Sequence, residues 1–117
     1  SYAINGWPDT GTGDLGGRPL APSDNGVALS AVNDTARTIL VGETDREWSE
    51  LVPGNDMFRG HLGTVNFLFA DGHVKALKPT STLQGTNMWT IEDEPDATTV
   101  GTNLRNGVNT WQTKVNN

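Results

Sequence analysis

Residues 65–78 read Val-Asn-Phe-Leu-Phe-Ala-Asp-Gly-His-Val-Lys-Ala-Leu-Lys, and this stretch decides the fold. The dipeptide Asp71-Gly72 accepts positive φ at both centres of a two-residue type I′ turn, so it predicts a β-hairpin. That loop places Phe69 opposite Val74 and Phe67 opposite Ala76. One face would then be wholly apolar and the other mixed, and a one-residue slip would destroy this segregation. The apolar face comprises Val65, Phe67, Phe69, Val74 and Ala76, and the mixed face comprises Asn66, Leu68, Ala70, His73, Lys75 and Leu77.

The sequence before and after this hairpin predicts short strands joined by long loops. The run Ile39-Leu40-Val41, within residues 36–44, is typical of a central strand that is covered on both faces. Residues 87–91 (Asn-Met-Trp-Thr-Ile) predict a further short strand. Glycine and proline interrupt residues 1–31 too often for a regular element, which indicates a loop. Its expected anchors are Tyr2, Ile4 and Trp7.

The C-terminal stretch is compatible with a helix or a strand. Leu104, Val108, Trp111 and Val115 step by four, three and four, which is the spacing of one helical face. The residues between them are mostly Asn, Thr and Gly, which are poor helix formers, and residues 109–115 could also alternate as a strand.

Length and composition predict one domain, residues 1–117. The chain has 117 residues, 14 glycines and a hydrophobic share of 34%, which suits short strands and turns better than a helical bundle. The predicted class is mainly β, with a β-rich α+β fold as the alternative. The predicted architecture is a small antiparallel sheet with the Asp-Gly hairpin at its centre and long loops around it.

The charge balance limits the partners. The net charge is −6 with eight basic residues, whereas nucleic-acid binding requires clustered Lys and Arg. The same acidity disfavours an anionic membrane surface, and no apolar run is long enough to span a bilayer. The absence of cysteine excludes disulfides and thiolate metal sites and fits a secreted bacterial protein. We therefore expect protein partners, with no nucleic acid and no membrane contact by this segment.

Residues 61–74 carry a longer motif, His-Leu-Gly-Thr-Val-Asn-Phe-Leu-Phe-Ala-Asp-Gly-His-Val. A His, nine residues and then Asp-Gly, flanked by Asn-Phe-Leu-Phe-Ala and His-Val, resembles the prepilin-type H-x(9)-D-G domain of bacteria. Residues 38–43 and 1–5 also look like the heads of that family. The matching motif positions are His61, Asn66, Phe67, Phe69, Asp71, Gly72 and His73.

The resemblance implies a β-rich head of a type IV pilin-like or pseudopilin-like protein, located outside a bacterial cell or on its surface. Members of the family begin with a long apolar helix that builds the filament core, and we expect these 117 residues to be the head without that helix. The isolated head should be a monomer because its acidic surface repels other copies. In a filament, a separate helical chain is the favoured replacement for the helix, and edge-strand pairing between heads is the second route.

The motif residues are predicted to be structural. A strand over residues 65–70 has ends roughly 17 Å apart at about 3.3 Å per residue. His61 precedes this strand and Asp71 follows it, so we expect them at opposite ends, too far apart for a catalytic pair. Asp71 would set the turn, and His61 would satisfy backbone groups where the chain enters the sheet. Without cysteine or a Gly-x-Ser-x-Gly motif, no nucleophilic triad is predicted, and the chain is not expected to be an enzyme.

No cofactor is expected, and calcium is the alternative. Calcium binds carboxylate oxygens, and the resemblance adds that related pseudopilin heads can carry a calcium site. The candidate ligands are Asp9 with Asp14 in a glycine-rich loop, or Glu92, Asp93 and Asp96 in an acidic cluster that would otherwise be a solvated face.

These observations predict a non-enzymatic structural subunit of an extracellular pilus-like filament or secretion pseudopilus, acting through protein–protein contacts. One alternative is a secreted carbohydrate-binding or other ligand-binding module, although tryptophans in a small domain are more often core anchors. Another is a secreted hydrolase, which would need Glu43, Asp45 and His61 to converge in one cleft. The tryptophans of the binding-module alternative are Trp7, Trp48, Trp89 and Trp111.

Overall fold

The computed structural model describes residues 2–5, 29–44, 62–89 and 102–115. Within these ranges, four strands form one antiparallel sheet in the order β1-β2-β3-β4: β1 Tyr2–Ile4, β2 Ile39–Glu43, β3 Val65–Phe69 and β4 Val74–Leu77. The same ranges contain an α-helix, α1, at Thr102–Val115, and short 3-10 helices at Leu29–Ala31, Thr35–Arg37 and Pro79–Leu83. The predicted small antiparallel sheet is confirmed, in an α+β arrangement.

The hairpin β3–β4 exists, but its predicted turn and register are wrong by one residue. Phe67 pairs with Lys75 and Leu68 with Val74, where the sequence predicted Ala76 and Lys75. The Gly72 N–H donates to the Phe69 carbonyl at 2.9 Å, and Gly72 has φ +94°. Asp71 lacks the positive φ that a type I′ turn requires, because Leu62 is the one described non-glycine residue with positive φ. The loop therefore has three residues, Ala70, Asp71 and Gly72, and consists of a type I turn in which Gly72 forms the bulge.

Long-range hydrogen bonds explain the longer loop. The Ala70 N–H donates to the Thr38 carbonyl at 2.9 Å, and the Asp71 N–H donates to the Thr35 carbonyl at 3.0 Å. Both amides thereby bond outside the hairpin and attach its tip to the segment that precedes β2. In the two-residue turn the Ala70 N–H would bond to His73 within the hairpin, so the tip would lose these two bonds to the segment before β2.

The slip moves β4 side chains to the opposite face. Val74 and Ala76, predicted in the apolar face, are exposed on the outer side of the sheet, and Val74 is 64% exposed. Lys75 and Leu77 instead share the inner face with Phe67 and Val65. Among the described strands, the hairpin lies at one side of the sheet and not at its centre, since β4 is the last in their order.

The predicted central position of β2 is confirmed, since β2 pairs with both β1 and β3. Its register with β3 shifts between Ile39 and Val41, which marks a bulge at Leu40. Ile39 is fully buried, whereas Leu40 and Val41 are half-buried. The outer face of β2 is thus less completely covered than predicted.

The C-terminal stretch is helical, and its apolar stripe lies against the inner face of the sheet. Leu104, Val108, Trp111 and Val115 are all buried. The Trp111 ring meets Phe67 edge-on with centroids 5.6 Å apart. Packing of this stripe outweighs the weak helix propensity of the intervening Asn, Thr and Gly. The core on this side comprises Ala3, Ile39, Val65, Phe67, Phe69, Leu83, Trp89, Leu104, Val108, Trp111 and Val115.

Residues 87–89 do not form the predicted strand, and residues 90–91 lie outside the described part of the chain. The Asn87 side-chain oxygen accepts the Trp89 N–H at 3.0 Å, which makes a local turn in competition with extended structure. The Trp89 indole N–H donates to the Thr82 hydroxyl at 2.8 Å. A backbone hydrogen bond from the Ile39 N–H to the Met88 carbonyl, at 2.8 Å, joins this turn to β2.

Within the first five residues, the buried anchor is Asn5 and not Tyr2. Tyr2 is 71% exposed, so its predicted anchoring role is wrong, and Ile4 is half-buried. The Asn5 side-chain amide is fully buried and donates to the carbonyls of Ile39 at 2.7 Å and Trp89 at 2.9 Å. These two bonds tie β1 to β2 and to the tryptophan turn. Trp7 lies outside the described residues.

Candidate interaction face of the sheet

An apolar row crosses the outer face of all four strands. Directly opposed residues of an antiparallel sheet point to the same face, and the register opposes Ile4 to Val41, Val41 to Leu68, and Leu68 to Val74. Ile4, Val41 and Leu68 are half-buried and Val74 is largely exposed. We call these four residues the outer row. The helix α1 packs on the opposite, inner face, so it does not cover them.

A depression lies along the outer row. It has a volume of about 370 Å³ and is lined by Tyr2, Val41, Asn66, Phe67, Leu68 and Val74. Apolar atoms form most of its lining. An exposed apolar surface of this kind on a folded domain favours contact with another molecule.

Glu43 lies beside the outer row and is engaged within the sheet. Its side chain is largely buried, and its carboxylate accepts the backbone N–H of Asn66 at 2.8 Å. By register Glu43 lies opposite Tyr2. The hydrolase alternative needs Asp45 and His61 next to this carboxylate, and both lie outside the described residues, so that convergence stays untested.

The Asp-Gly turn carries a small polar cluster at its tip. The Asp71 carboxylate accepts the His73 backbone N–H at 3.1 Å and also contacts Nδ1 of the His73 ring. These hydrogen bonds from His73 lower the pKa of Asp71 below its ordinary value. The His73 ring stacks on Phe69, with centroids 4.6 Å apart and planes within 2°. The Asp71 carboxylate therefore closes the turn through His73, and the His73 ring covers the end of the core.

The other motif positions divide between the two faces. Phe67 and Phe69 are buried core residues, whereas Asn66 is exposed on the outer face. His61 lies outside the described residues, so its separation from Asp71 remains a prediction.

Both described tryptophans are core residues. Trp89 and Trp111 have no exposed surface, and their rings lie 6.5 Å apart with Phe67 meeting both edge-on. Neither can stack on a glycan in this conformation. Trp7 and Trp48 fall outside the described part of the chain.

The calcium candidates Asp9, Asp14, Glu92, Asp93 and Asp96 also fall outside it. Among the residues that the structure does describe, no three His, Asp or Glu side chains come together as a metal-binding group. Within the same residues, no helix has the length and apolarity needed to cross a bilayer. No family model, no curated protein and no solved structure matches the chain.

Sequence reasoning missed the outer row because its members are far apart along the chain. Ile4, Val41, Leu68 and Val74 become neighbours only through three pairing registers, one of them shifted by the bulge at Leu40. The available local signal was Gly72, since glycine after Asp also suits a three-residue loop with a glycine bulge. That loop would have placed Val74 on the outer face.

Proposed function

We propose that this chain is the head of an extracellular pilus-like filament or pseudopilus subunit, a non-enzymatic structural protein acting through protein–protein contacts. The outer row is the observation that supports the proposal. It presents a continuous apolar surface on a rigid sheet, with α1 and the aromatic core holding the sheet from behind. The motif of residues 61–74 supplies the family expectation, and the outer row supplies a surface through which such a subunit would be held by neighbours.

A photo-crosslinking experiment in the bacterium that encodes the chain tests this function. A photoreactive phenylalanine analogue replaces Val74 on the outer row or, as the control, Asn109 on the exposed side of α1. Surface filaments are then sheared off and blotted for the protein. We expect the protein in the sheared fraction, with crosslinked ladders from position 74 and few from position 109. A protein absent from that fraction, or equal crosslinking at both positions, contradicts the proposal.

A matched pair of charge substitutions measures the contribution of the face. Val74→Asp and Asn109→Asp each add one negative charge at an exposed site, so both variants should fold. Val74→Asp should lower incorporation into filaments by at least about fivefold, because it places a charge in an apolar contact. Asn109→Asp should leave incorporation unchanged. Equal effects of the two substitutions would indicate that overall charge, and not the outer row, controls assembly.

A ligand-binding module is the second candidate, and the depression on the outer row is the observation that favours it. Its volume of about 370 Å³ lies at the lower end of the range of roughly 300–1,000 Å³ for small-molecule sites. Saturable binding of a small apolar probe such as anilinonaphthalene sulfonate, lost in Val74→Asp, together with no protein in the filament fraction, would favour this second function.

A further inference from the structure

Within the described residues, the strand β4 has one unpaired edge. It pairs with β3 on one side and is the last described strand of the sheet. The Phe69 N–H donates to the His73 carbonyl at 2.9 Å, which makes residues 73, 75 and 77 the positions whose backbone groups face β3. The alternating positions, Val74 and Ala76, therefore direct their N–H and C=O groups away from the sheet. No hydrogen bond from the described residues reaches them.

This edge is basic, in contrast to the whole chain. Residues 72–91 contain no Asp or Glu, although the chain has 14 acidic residues and a net charge of −6. Lys75 and Lys78 are both exposed, and neither ammonium group forms an ion pair or hydrogen bond among the described residues. The one acidic side chain at the hairpin tip, Asp71, is already engaged by His73. The β4 edge thus offers a local positive charge that no acidic side chain of the described residues neutralises.

The two faces of the edge differ in chemistry. Val74 and Ala76 point to the outer face, where Val74 ends the outer row. Lys75 points to the inner face, opposite Phe67. A further strand laid along β4 would therefore place its own alternate side chains beside Val74 and Ala76 on one face and beside Lys75 on the other.

We propose that the β4 edge accepts an extended segment of a partner protein in which apolar and acidic residues alternate. The segment adds a fifth strand, with its apolar side chains extending the outer row and its inner-face carboxylates beside Lys75. Backbone hydrogen bonds to Val74 and Ala76 provide affinity that is independent of side chains, and the alternating side chains provide specificity. A second copy pairing through the same edge would bring like charges together at Lys75 and Lys78, which disfavours that arrangement.

Edge lysines have another known use, because a charged edge discourages unwanted strand pairing. The two uses predict different behaviour. Lysines that only protect the edge should allow self-association when they are removed and should bind no acidic segment. Lysines that recruit a partner should bind an acidic alternating peptide and discriminate against a basic one.

Synthetic peptides test the proposal on the isolated 117-residue chain. The probe is a capped, fluorescently labelled octapeptide of alternating valine and glutamate, and fluorescence anisotropy gives its Kd. The comparison peptides are alternating valine and lysine, and a block peptide with four valines followed by four glutamates. We expect the alternating glutamate peptide to bind at least about tenfold more tightly than either, and its affinity to fall with added salt. Equal affinities for the glutamate and lysine peptides overturn the proposal.

N-methylation of the peptide distinguishes strand addition from simple charge attraction. In an antiparallel added strand, the residues opposite Val74 and Ala76 point to the same face and exchange backbone hydrogen bonds with them. The valine amides of the peptide therefore face β4, and the glutamate amides face away. Methylating two valine amides should weaken binding at least about tenfold, as expected for two lost backbone hydrogen bonds. Methylating two glutamate amides should change the Kd by less than about threefold on the same grounds. The reverse order, or no difference, overturns the proposed docking geometry.

Variants of the protein locate the site. Ala76→Pro removes an outward-facing N–H, a position at which edge strands tolerate proline, and should abolish peptide binding with the fold retained by circular dichroism. Lys75→Glu should weaken binding about tenfold, while Lys114→Glu on α1, with the same change in net charge, should have an effect below about twofold. Unchanged binding in Ala76→Pro, or equal losses in both charge variants, overturns the site. Dimerisation of Lys75→Ala/Lys78→Ala without peptide binding overturns it in favour of edge protection.

These measurements do not depend on filament assembly. Peptide binding in solution with no crosslinking from position 74 in filaments would support the edge site and contradict the proposed function. The opposite result would support the filament subunit and overturn the edge site.

Discussion

Substituting Phe67 and Val74 in parallel measures which face of the hairpin is the core. Phe67 is fully buried between Trp89 and Trp111, with ring centroids 6.0 and 5.6 Å away. Phe67→Ala should therefore lower the free energy of unfolding by about 3–5 kcal/mol. Val74 is 64% exposed. Full burial of its two methyl groups would contribute about 1.6 kcal/mol, so the third that is buried predicts a loss of only about 0.6 kcal/mol in Val74→Ala.

Urea denaturation followed by far-ultraviolet circular dichroism gives both values, provided that the slope m is the same for the variants. With an unfolding entropy of about 2.1 cal/mol/K per residue, a loss of 4 kcal/mol corresponds to a fall in Tm of roughly 16 °C, and 0.6 kcal/mol to roughly 2 °C. The control is Ala76→Ser, an exposed outer-face change expected to have little effect. A Val74→Ala loss of more than about 2 kcal/mol would refute the observed register, because only the two-residue loop buries Val74.

Three further perturbations test the turn and the polar anchor. Gly72→Ala should destabilise the protein by about 1–2 kcal/mol in urea titrations through its positive φ alone, since no atom lies within 4 Å of an added Cβ; unchanged stability would contradict the bulge. Asn5→Ala should lower the free energy of unfolding by about 2–4 kcal/mol, because two buried carbonyls lose their donor, and a loss below about 1 kcal/mol would remove Asn5 as an anchor. The folded-state pKa of Asp71 lies below its ordinary value of 3.8, so its contribution is complete above that pH and is lost as the pH falls through the folded-state pKa. The stability difference between wild type and Asp71→Asn, from urea titrations at several pH values, should accordingly shrink below pH 3.8; a difference that grows there would contradict the assignment.

The strands and the helix stripe could be predicted from local sequence because the residues that indicate each element lie within a few positions of one another. Ile39-Leu40-Val41 and the Asp-Gly hairpin were recognisable as strand and turn before any tertiary contact was known. The stripe through Trp111 was also visible, but the choice between helix and strand depended on the sheet face against which it packs. That face includes Phe67, more than forty residues earlier in the chain, and sequence spacing alone does not supply it.

The register of the hairpin could not be predicted locally because its determinant is remote. The amides of Ala70 and Asp71 bind the carbonyls of Thr38 and Thr35, more than thirty residues away. Hydrophobic segregation favoured the two-residue loop, whereas the two bonds to the segment before β2 favour the longer one. Residues 87–89 illustrate the same limit, since an Asn side chain bonded to the backbone replaced the extended conformation that Met88 and Trp89 suggested.

The register shift links the fold to the proposed contacts. With a two-residue loop, Val74 and Ala76 would turn into the core and Lys75 would join the outer face. The outer row would then end at Leu68, and a strand added to β4 would find a lysine where the apolar row now continues. The three-residue loop instead segregates the edge into an apolar outer side and a basic inner side. The bonds from the hairpin tip to Thr35 and Thr38 favour this register. They thereby also set which side chains a partner meets on the outer face and along the β4 edge.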